Sequence, residues 1–113
     1  MKLMRIEDLP GVLPARHYDL LSRRIAQASI GAKAMEVSQV CMEPNARADP
    51  HTHEKAEQLF IVLKGEMAIK TAQGEVRMKQ GEAAFIYPGE VHENYNMGEG
   101  ETEYIVITSR LIP

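Results

Sequence analysis

From Met35 onward, apolar and polar residues alternate with a period of two, and glycine or proline interrupts the alternation roughly every 8–12 residues. Such alternation places successive side chains on opposite faces of an extended strand. A βαβ fold would need amphipathic helices between its strands, and the sequence indicates none. The pattern therefore predicts seven or eight short strands in an all-β sandwich or closed barrel.

The predicted strands cover residues 35–42, 59–63, 67–71, 75–79, 83–87, 92–96 and 104–109. The continuously apolar run 59–63 predicts a strand buried on both faces. Ala72-Gln73-Gly74 is typical of a hairpin connection. Residues 1–34 are broken by prolines and glycine, with room for a short helical turn at 15–21 and a first strand at 23–28. We interpret 1–34 as an N-terminal segment with short strands, in the same single domain as the barrel of residues 35–113.

Composition and net charge argue against some classes of binding partner. The 113 residues are enough for one domain, and the net charge of −3 argues against nucleic acid or an anionic membrane surface. No apolar stretch approaches the roughly 20 residues that span a bilayer. Cys41 is the single cysteine, so an internal disulfide is impossible, and we expect it to be a small core residue. A cytoplasmic protein is the simplest prediction.

Two of the four histidines are separated by one residue, so the rings of His51 and His53 point to the same face of an extended strand. Imidazole nitrogens suit zinc, iron, copper and nickel, and two from one face are the start of a metal site. Asp49 is a candidate for a residue that orients these two imidazole rings without itself binding the metal. His17 has no partner in the sequence and is predicted to lie at the surface.

Two motifs resemble those of the cupin superfamily. The first cupin motif is His-x-His, three or four residues, Glu or Gln, six residues and Gly; the second is Gly, five residues, Pro-x-Gly, two residues, His, three residues and Asn. This chain matches the first with His51, His53, Gln58 and Gly65, and the second with Gly81, Tyr87-Pro88-Gly89, His92 and Asn96. Tyr87 replaces the first proline of the second motif, although Pro88 keeps the turn stiff.

The resemblance implies a double-stranded β-helix, or jelly roll, that holds one divalent transition metal ion (Ni, Zn, Mn, Fe or Co). It implies His51, His53, Gln58 and His92 as the ligands. Glu57 is the alternative fourth ligand, because it precedes Gln58 and would face the other way on a regular strand. Counting back from Gly65 places Gln58 in the motif position.

The two alternatives predict different chemistry. Three imidazoles and an amide leave the +2 charge of the ion uncompensated, which favours a small anionic, chelating substrate. A Glu ligand would cancel one charge and favour redox chemistry with oxygen. The His, His, Gln, His set looks like that of single-domain cupins that assist ring opening of unsaturated uronic sugars. We therefore predict a small Lewis-acid metalloenzyme of the isomerase or lyase type, acting on a carboxylate-bearing, sugar-like molecule.

The alternatives are a non-catalytic module that binds or senses a small acid or metal, and an iron-dependent dioxygenase. Candidates for a proton-moving residue are Glu57, Tyr87, Tyr95 and Tyr104. Small cupins commonly pair through edge strands, so a homodimer is expected, with the N-terminal segment or a C-terminal strand from Tyr104 to Ile112 as the contact.

Overall fold

Eight antiparallel strands form one continuous sheet that curls into a nearly closed jelly-roll barrel in the computed structural model, which describes residues 1–110. The strands are β1 (His17–Ala26), β2 (Met35–His51), β3 (Ala56–Lys64), β4 (Glu66–Thr71), β5 (Gly74–Lys79), β6 (Ala83–Ile86), β7 (His92–Tyr95) and β8 (Thr102–Arg110). Their order in the sheet is β5-β4-β7-β2-β8-β3-β6, and β1 pairs with β2. The predicted all-β class is confirmed.

The helical content of residues 1–110 is two 3₁₀ turns, Ile6–Asp8 and Ala28–Ile30. Neither is long or apolar enough to cross a membrane.

The long strand β2 organises the barrel because it has different partners along its length. Its first half, from Met35 to Met42, pairs with β8, and its second half pairs with β7. Strand β1 runs beside both halves, with a register shift between Tyr18 and Leu20. Another shift, between Ala48 and His51, brings His51 opposite His92 on β7. The two sequence motifs thus meet at one end of the barrel.

The inward-facing side chains of the strands form the core. Val40 and Met42 face inward and pack with Val62 and Met67, all at most 4% exposed. Towards the opposite end the inward face of the sheet becomes polar, and a cavity opens there.

Three predictions about individual segments were wrong. The strand of residues 59–63 is buried on one face only: Phe60 and Val62 point inward, whereas Leu59 and Ile61 are half-buried on the outer face. Cys41 is also half-buried on the outer face rather than in the core. Residues 15–21 form no helical turn, because β1 already begins at His17.

The C-terminal strand is also not the exposed edge that we predicted as a dimer contact. Strand β8 lies between β2 and β3 and pairs with both, so Ile105 and Ile107 have hydrogen-bonded neighbours on each side. Ile112, the predicted end of that strand, lies outside the described residues.

Motif residues outside the ligand set stabilise turns. Gly65 joins β3 to β4 at a φ of +78°, and a Cβ there would lie 2.7 Å from the carbonyl oxygen of Glu101. Asn96 is 2% exposed, and its Nδ2 donates to the carbonyls of Met42, Glu43 and Gly100 at 2.8–3.2 Å. Asn96 therefore serves hydrogen bonding inside the barrel.

Candidate metal centre

The four predicted ligands come from three strands and one loop. His51 ends β2, His53 lies in the loop of residues 52–55, Gln58 is on β3, and His92 begins β7. The ring centroids of His51 and His92 are 4.2 Å apart, those of His51 and His53 5.2 Å, and those of His53 and His92 6.1 Å. The sheet thus brings together residues that are 41 positions apart in the sequence, His51 and His92.

Backbone carbonyls orient two of the imidazole rings. Nδ1 of His51 lies 2.8 Å from the carbonyl oxygen of Asp49, and Nδ1 of His92 lies 3.1 Å from that of Glu90. A carbonyl only accepts, so each Nδ1 carries the proton and each Nε2 presents its lone pair. Asp49 therefore supports His51 through its backbone. Its carboxylate instead contacts Arg16, Arg47 and Tyr18.

Burial favours the neutral form of these rings. Burial lowers the pKa of His51 and of His92 below the usual histidine value. The hydrogen bonds to the carbonyls raise both pKa values, but by less than burial lowers them. A metal ligand must be the neutral imidazole, so both rings are in the required protonation state at neutral pH.

Two buried polar atoms at this end of the barrel have no hydrogen-bond partner: Nε2 of His92 and Oε1 of Gln58. His92 is 1% exposed and Gln58 is 8% exposed. Leaving a buried donor or acceptor unsatisfied costs about 1–3 kcal/mol, so such atoms are rare in folded proteins. Both atoms carry lone pairs that a metal ion can accept, and the residues present therefore fit a metal site.

The choice between Glu57 and Gln58 follows from the strand. Gln58 faces inward and lines the cavity with His51 and His53. Its Nε2 donates to Oγ1 of Thr108 at 2.9 Å, which identifies Oε1 as the atom left to bind. Glu57 is half-buried, has the opposite parity and does not line the cavity. The amide is the better candidate for the fourth ligand.

The candidate ligand side chains are neighbours, but their metal-binding atoms do not converge on one point. Within residues 1–110, no three His, Cys, Asp or Glu side chains meet in an arrangement that could hold a metal as they stand. His53 is exposed and lies in a loop, so its ring is the one with most freedom to rotate towards the others.

A cavity of about 320 Å³ opens beside His51, His53 and Gln58. Its apolar wall includes Phe60 and Val106, and its polar wall includes Arg24 and Arg110. Arg110 forms an ion pair with Glu36 at 2.5 Å. Arg24 has no ion-pair partner among the described residues, so it is a cation available to a ligand.

Of the four candidates for proton transfer, one lines this cavity. Tyr104 is 3% exposed, burial strongly raises the pKa of its hydroxyl, and Nδ2 of Asn94 donates to that hydroxyl at 3.3 Å. Tyr87 is 67% exposed, and the hydroxyl of Tyr95 donates to Glu75 outside the cavity. Glu57 is outside it as well.

Sequence reasoning missed several cavity residues, among them His17, Arg24, Ser38 and Thr108. Alternation along β1 was the available signal for Arg24, because it shares parity with the buried Leu20 and Ser22. His17 was predicted at the surface and is instead half-buried beside His51.

Similar proteins are consistent with this architecture. The polyketide cyclase RemF from Streptomyces resistomycificus superposes with a TM-score of 0.87 at 25% identity, covering 96% of this chain and 79% of that one. A sugar phosphate isomerase from Silicibacter pomeroyi superposes with a TM-score of 0.81 at 20% identity, covering 96% and 76%.

The tetracenomycin polyketide synthase protein TcmJ of Streptomyces glaucescens is 22% identical over 89 residues, which are 79% of this chain and 60% of that protein. The chain thus spans about three-fifths of the length of that relative. The family model of the cupin domain matches residues 38–108, more than half of the chain and including all four candidate ligands. The chain belongs to the cupin family.

Proposed function

We propose that this cupin is a metal-dependent enzyme that acts on a small anionic carbonyl compound. One divalent transition metal ion would be held by His51, His53, Gln58 and His92. The observation that carries the proposal is the pair of buried, unpartnered atoms, Nε2 of His92 and Oε1 of Gln58. Gln58 lines the cavity, and the ring of His92 lies next to that of His51, another residue of the cavity wall. Folding leaves them unsatisfied in the protein alone, and a bound cation would satisfy both.

Such an ion, with four neutral ligands, would supply Lewis-acid polarisation of a carbonyl or carboxylate oxygen. The ligand set favours this over oxygen chemistry, since the 2-His-1-carboxylate arrangement of non-haem iron oxygenases is missing when Gln58 is the ligand.

The other cavity residues bind and orient the substrate. Arg24 would pair with a substrate carboxylate, because it lines the cavity without an acidic partner. Tyr104 keeps its proton at neutral pH, and its hydroxyl oxygen already accepts from Asn94. The phenolic proton is then free to be donated to a substrate oxygen. Phe60 and Val106 reduce the access of water.

The size of the cavity favours a small substrate. Its volume of about 320 Å³ is at the lower end of the roughly 300–1,000 Å³ of ligand pockets. A uronate-type sugar acid that opens or isomerises at its carbonyl fits that size and the charge of Arg24.

A second candidate is the closure of a ring in a polyketide-type substrate. It is favoured by the likeness to RemF, which extends over 96% of this chain, and to TcmJ. Both candidates need a carbonyl oxygen at the metal site and a proton donor nearby, so the same residues would serve either.

The test is to load the purified protein separately with Zn²⁺, Ni²⁺, Mn²⁺, Fe²⁺ and Co²⁺ and to measure metal content by elemental analysis. Each form is then assayed with unsaturated uronates and with linear poly-β-ketone analogues. We expect one ion per chain and turnover of a uronate. His51→Ala and His92→Ala should lose the ion, whereas the exposed Val76→Ala on β5 should keep it.

The other outcomes are equally specific. Turnover of the poly-β-ketones alone would favour the cyclase. Tight binding of uronates without product would identify a binding module, and oxygen consumption by the iron form would identify a dioxygenase. Equal metal content in His92→Ala and the parent would refute the site.

A further inference from the structure

His17, the fourth histidine, lies on the wall of the cavity rather than at the surface. It begins β1, is half-buried, and its ring centroid is 6.1 Å from that of His51. Among the described residues its ring is a neighbour of the His51 ring and of no other predicted ligand ring, whereas the rings of His51, His53 and His92 are all neighbours of one another. His17 is therefore placed beside the ligand set and not within it.

The ring of His17 is oriented in the same way as two of the ligands. Its Nδ1 lies 2.8 Å from the carbonyl oxygen of Ala15, two residues back. His51 and His92 make the same contact with the carbonyls of Asp49 and Glu90. The carbonyl accepts, so Nδ1 of His17 donates, and Nε2 is the ring atom left with a lone pair for the cavity.

The backbone around His17 is held in an unfavourable conformation. Arg16 and Asp19 both have positive φ angles, +62° and +57°. Left-handed conformations of such residues cost about 1 kcal/mol or more each and persist only where surrounding contacts enforce them.

Asp49 provides such contacts for Arg16, and it also holds Tyr18. Its backbone N–H donates to the carbonyl of Arg16 at 3.0 Å, and its carboxylate accepts from the hydroxyl of Tyr18 at 3.1 Å. The carboxylate also pairs with Arg16 at 3.6 Å. The residue two positions before the metal-site histidine His51 thus fixes both neighbours of His17, and so fixes the position of His17 relative to that site.

We propose that His17 contacts the substrate: its Nε2 accepts a hydrogen bond from a substrate hydroxyl and so orients the substrate beside the metal site. This inference rests on the proposed function. It assigns the substrate a hydroxyl next to the group that chelates the metal, so the substrate class becomes hydroxy acids rather than acids in general.

The test compares two small acids that differ by one hydroxyl, tartronate (2-hydroxymalonate) and malonate. Their dissociation constants are measured by calorimetry on the metal-loaded full chain, for the parent, His17→Ala, His17→Gln and the control Val76→Ala. A neutral hydrogen bond contributes about 0.5–1.5 kcal/mol, so His17→Ala should weaken tartronate binding about 2- to 13-fold and leave malonate binding unchanged. His17→Gln, whose amide can still accept, should retain most of the affinity. Metal content should be unchanged in all variants.

Three results would overturn the inference alone, and a fourth would overturn it together with the proposed function. Equal weakening of tartronate and malonate binding would mean that His17 affects the cavity as a whole and does not contact the hydroxyl. Loss of the metal in His17→Ala would make it a ligand. If the parent binds both acids and neither His17 variant changes the affinity, His17 does not contact the substrate, and the proposed function is unaffected. A parent that takes up no metal, or binds neither acid, would refute the proposed function itself and the inference with it.

Discussion

Nε2 of Gln58 donates to Oγ1 of Thr108 at 2.9 Å, and this single contact determines which atom of the Gln58 amide faces the candidate metal site. An amide can present either its donor or its acceptor to a neighbour. Thr108, which pairs with Gln58 across β3 and β8, occupies the donor and leaves Oε1 for an ion.

We therefore predict that Thr108→Val weakens metal binding while Thr108→Ser preserves it. Partners that orient a metal ligand typically contribute 10- to 100-fold in affinity, and about 10-fold is expected for one neutral hydrogen bond. Titration of the metal-free protein with Zn²⁺, followed by calorimetry, measures the difference. Equal affinities in the two variants would show that Gln58 is not held by this contact.

The identity of the fourth ligand can be tested with reciprocal substitutions. Gln58→Glu should tighten Zn²⁺ binding and weaken malonate binding, because the added carboxylate cancels one charge of the ion. Glu57→Gln should change neither, since Glu57 lies outside the cavity. Both dissociation constants are measured for each variant, and a larger effect of Glu57→Gln would reverse the assignment.

Arg24 should contribute to anion affinity and not to metal affinity. A charge-assisted hydrogen bond contributes roughly 1.5–3 kcal/mol, but Arg24 is exposed and screened by solvent. We expect Arg24→Ala to weaken malonate binding about 5-fold. Arg24→Lys should retain part of the affinity for malonate. The effect should decrease between 50 and 500 mM salt (roughly, from a Debye length above 10 Å to one below 5 Å). An effect independent of salt would argue against a direct ion pair.

Tyr104 makes the stability of the fold sensitive to alkaline pH. Burial raises the pKa of its hydroxyl well above the unfolded value of about 10. This contribution to stability is complete below pH 10 and is lost as pH rises above it, because the unfolded chain can ionise and the folded chain cannot. The free energy of unfolding should fall by up to about 1.4 kcal/mol per pH unit above 10.

Urea denaturation of the metal-free protein at pH 8, 10 and 11 measures this dependence. Tyr104→Phe removes the titrating group, so its stability should fall less steeply over the same range. Tyr87→Phe, at an exposed position, is the matched control and should behave like the parent. Parallel curves for the parent and Tyr104→Phe would contradict the prediction.

Gly65 should be among the least replaceable turn residues. Gly65→Ala places a methyl group 2.7 Å from the Glu101 carbonyl oxygen and 2.8 Å from Oγ1 of Thr102, at a φ of +78°. Gly81 has a similar φ of +87° with nothing within 4 Å of the added Cβ, so Gly81→Ala isolates the conformational cost. We expect losses of about 1 kcal/mol for Gly81→Ala and about 3 kcal/mol for Gly65→Ala in urea denaturation. Equal losses would mean that the close approach is relieved without cost.

Local patterns in the sequence were enough for most of the strands and for the candidate ligands. The alternation that starts at Met35 predicted an extended strand there, because a period of two is a property of the extended backbone itself, but it did not identify the inward face, and Cys41 was assigned to the core wrongly. Parity indicated that Gln58 and Glu57 face opposite ways, and the spacing to Gly65 favoured Gln58. His51, His53 and His92 were predicted from two motifs whose spacing the sequence states directly.

The sequence did not predict the cavity wall. Thr108 supports Gln58 across 50 residues, and His17 and Arg24 reach the cavity from a strand that begins after a segment broken by prolines. Nor did it place β8 in the interior of the sheet, where its pairing with β2 and β3 removes the exposed edge that we had expected.

By itself, then, the sequence determined the all-β class, the turns and the set of candidate ligands, since each depends on residues close together in the chain. Only the tertiary structure decided which atom of Gln58 is free and that His17 lines the cavity. Both depend on the register between strands distant in sequence, and that register results from the packing of the whole barrel rather than from any local pattern.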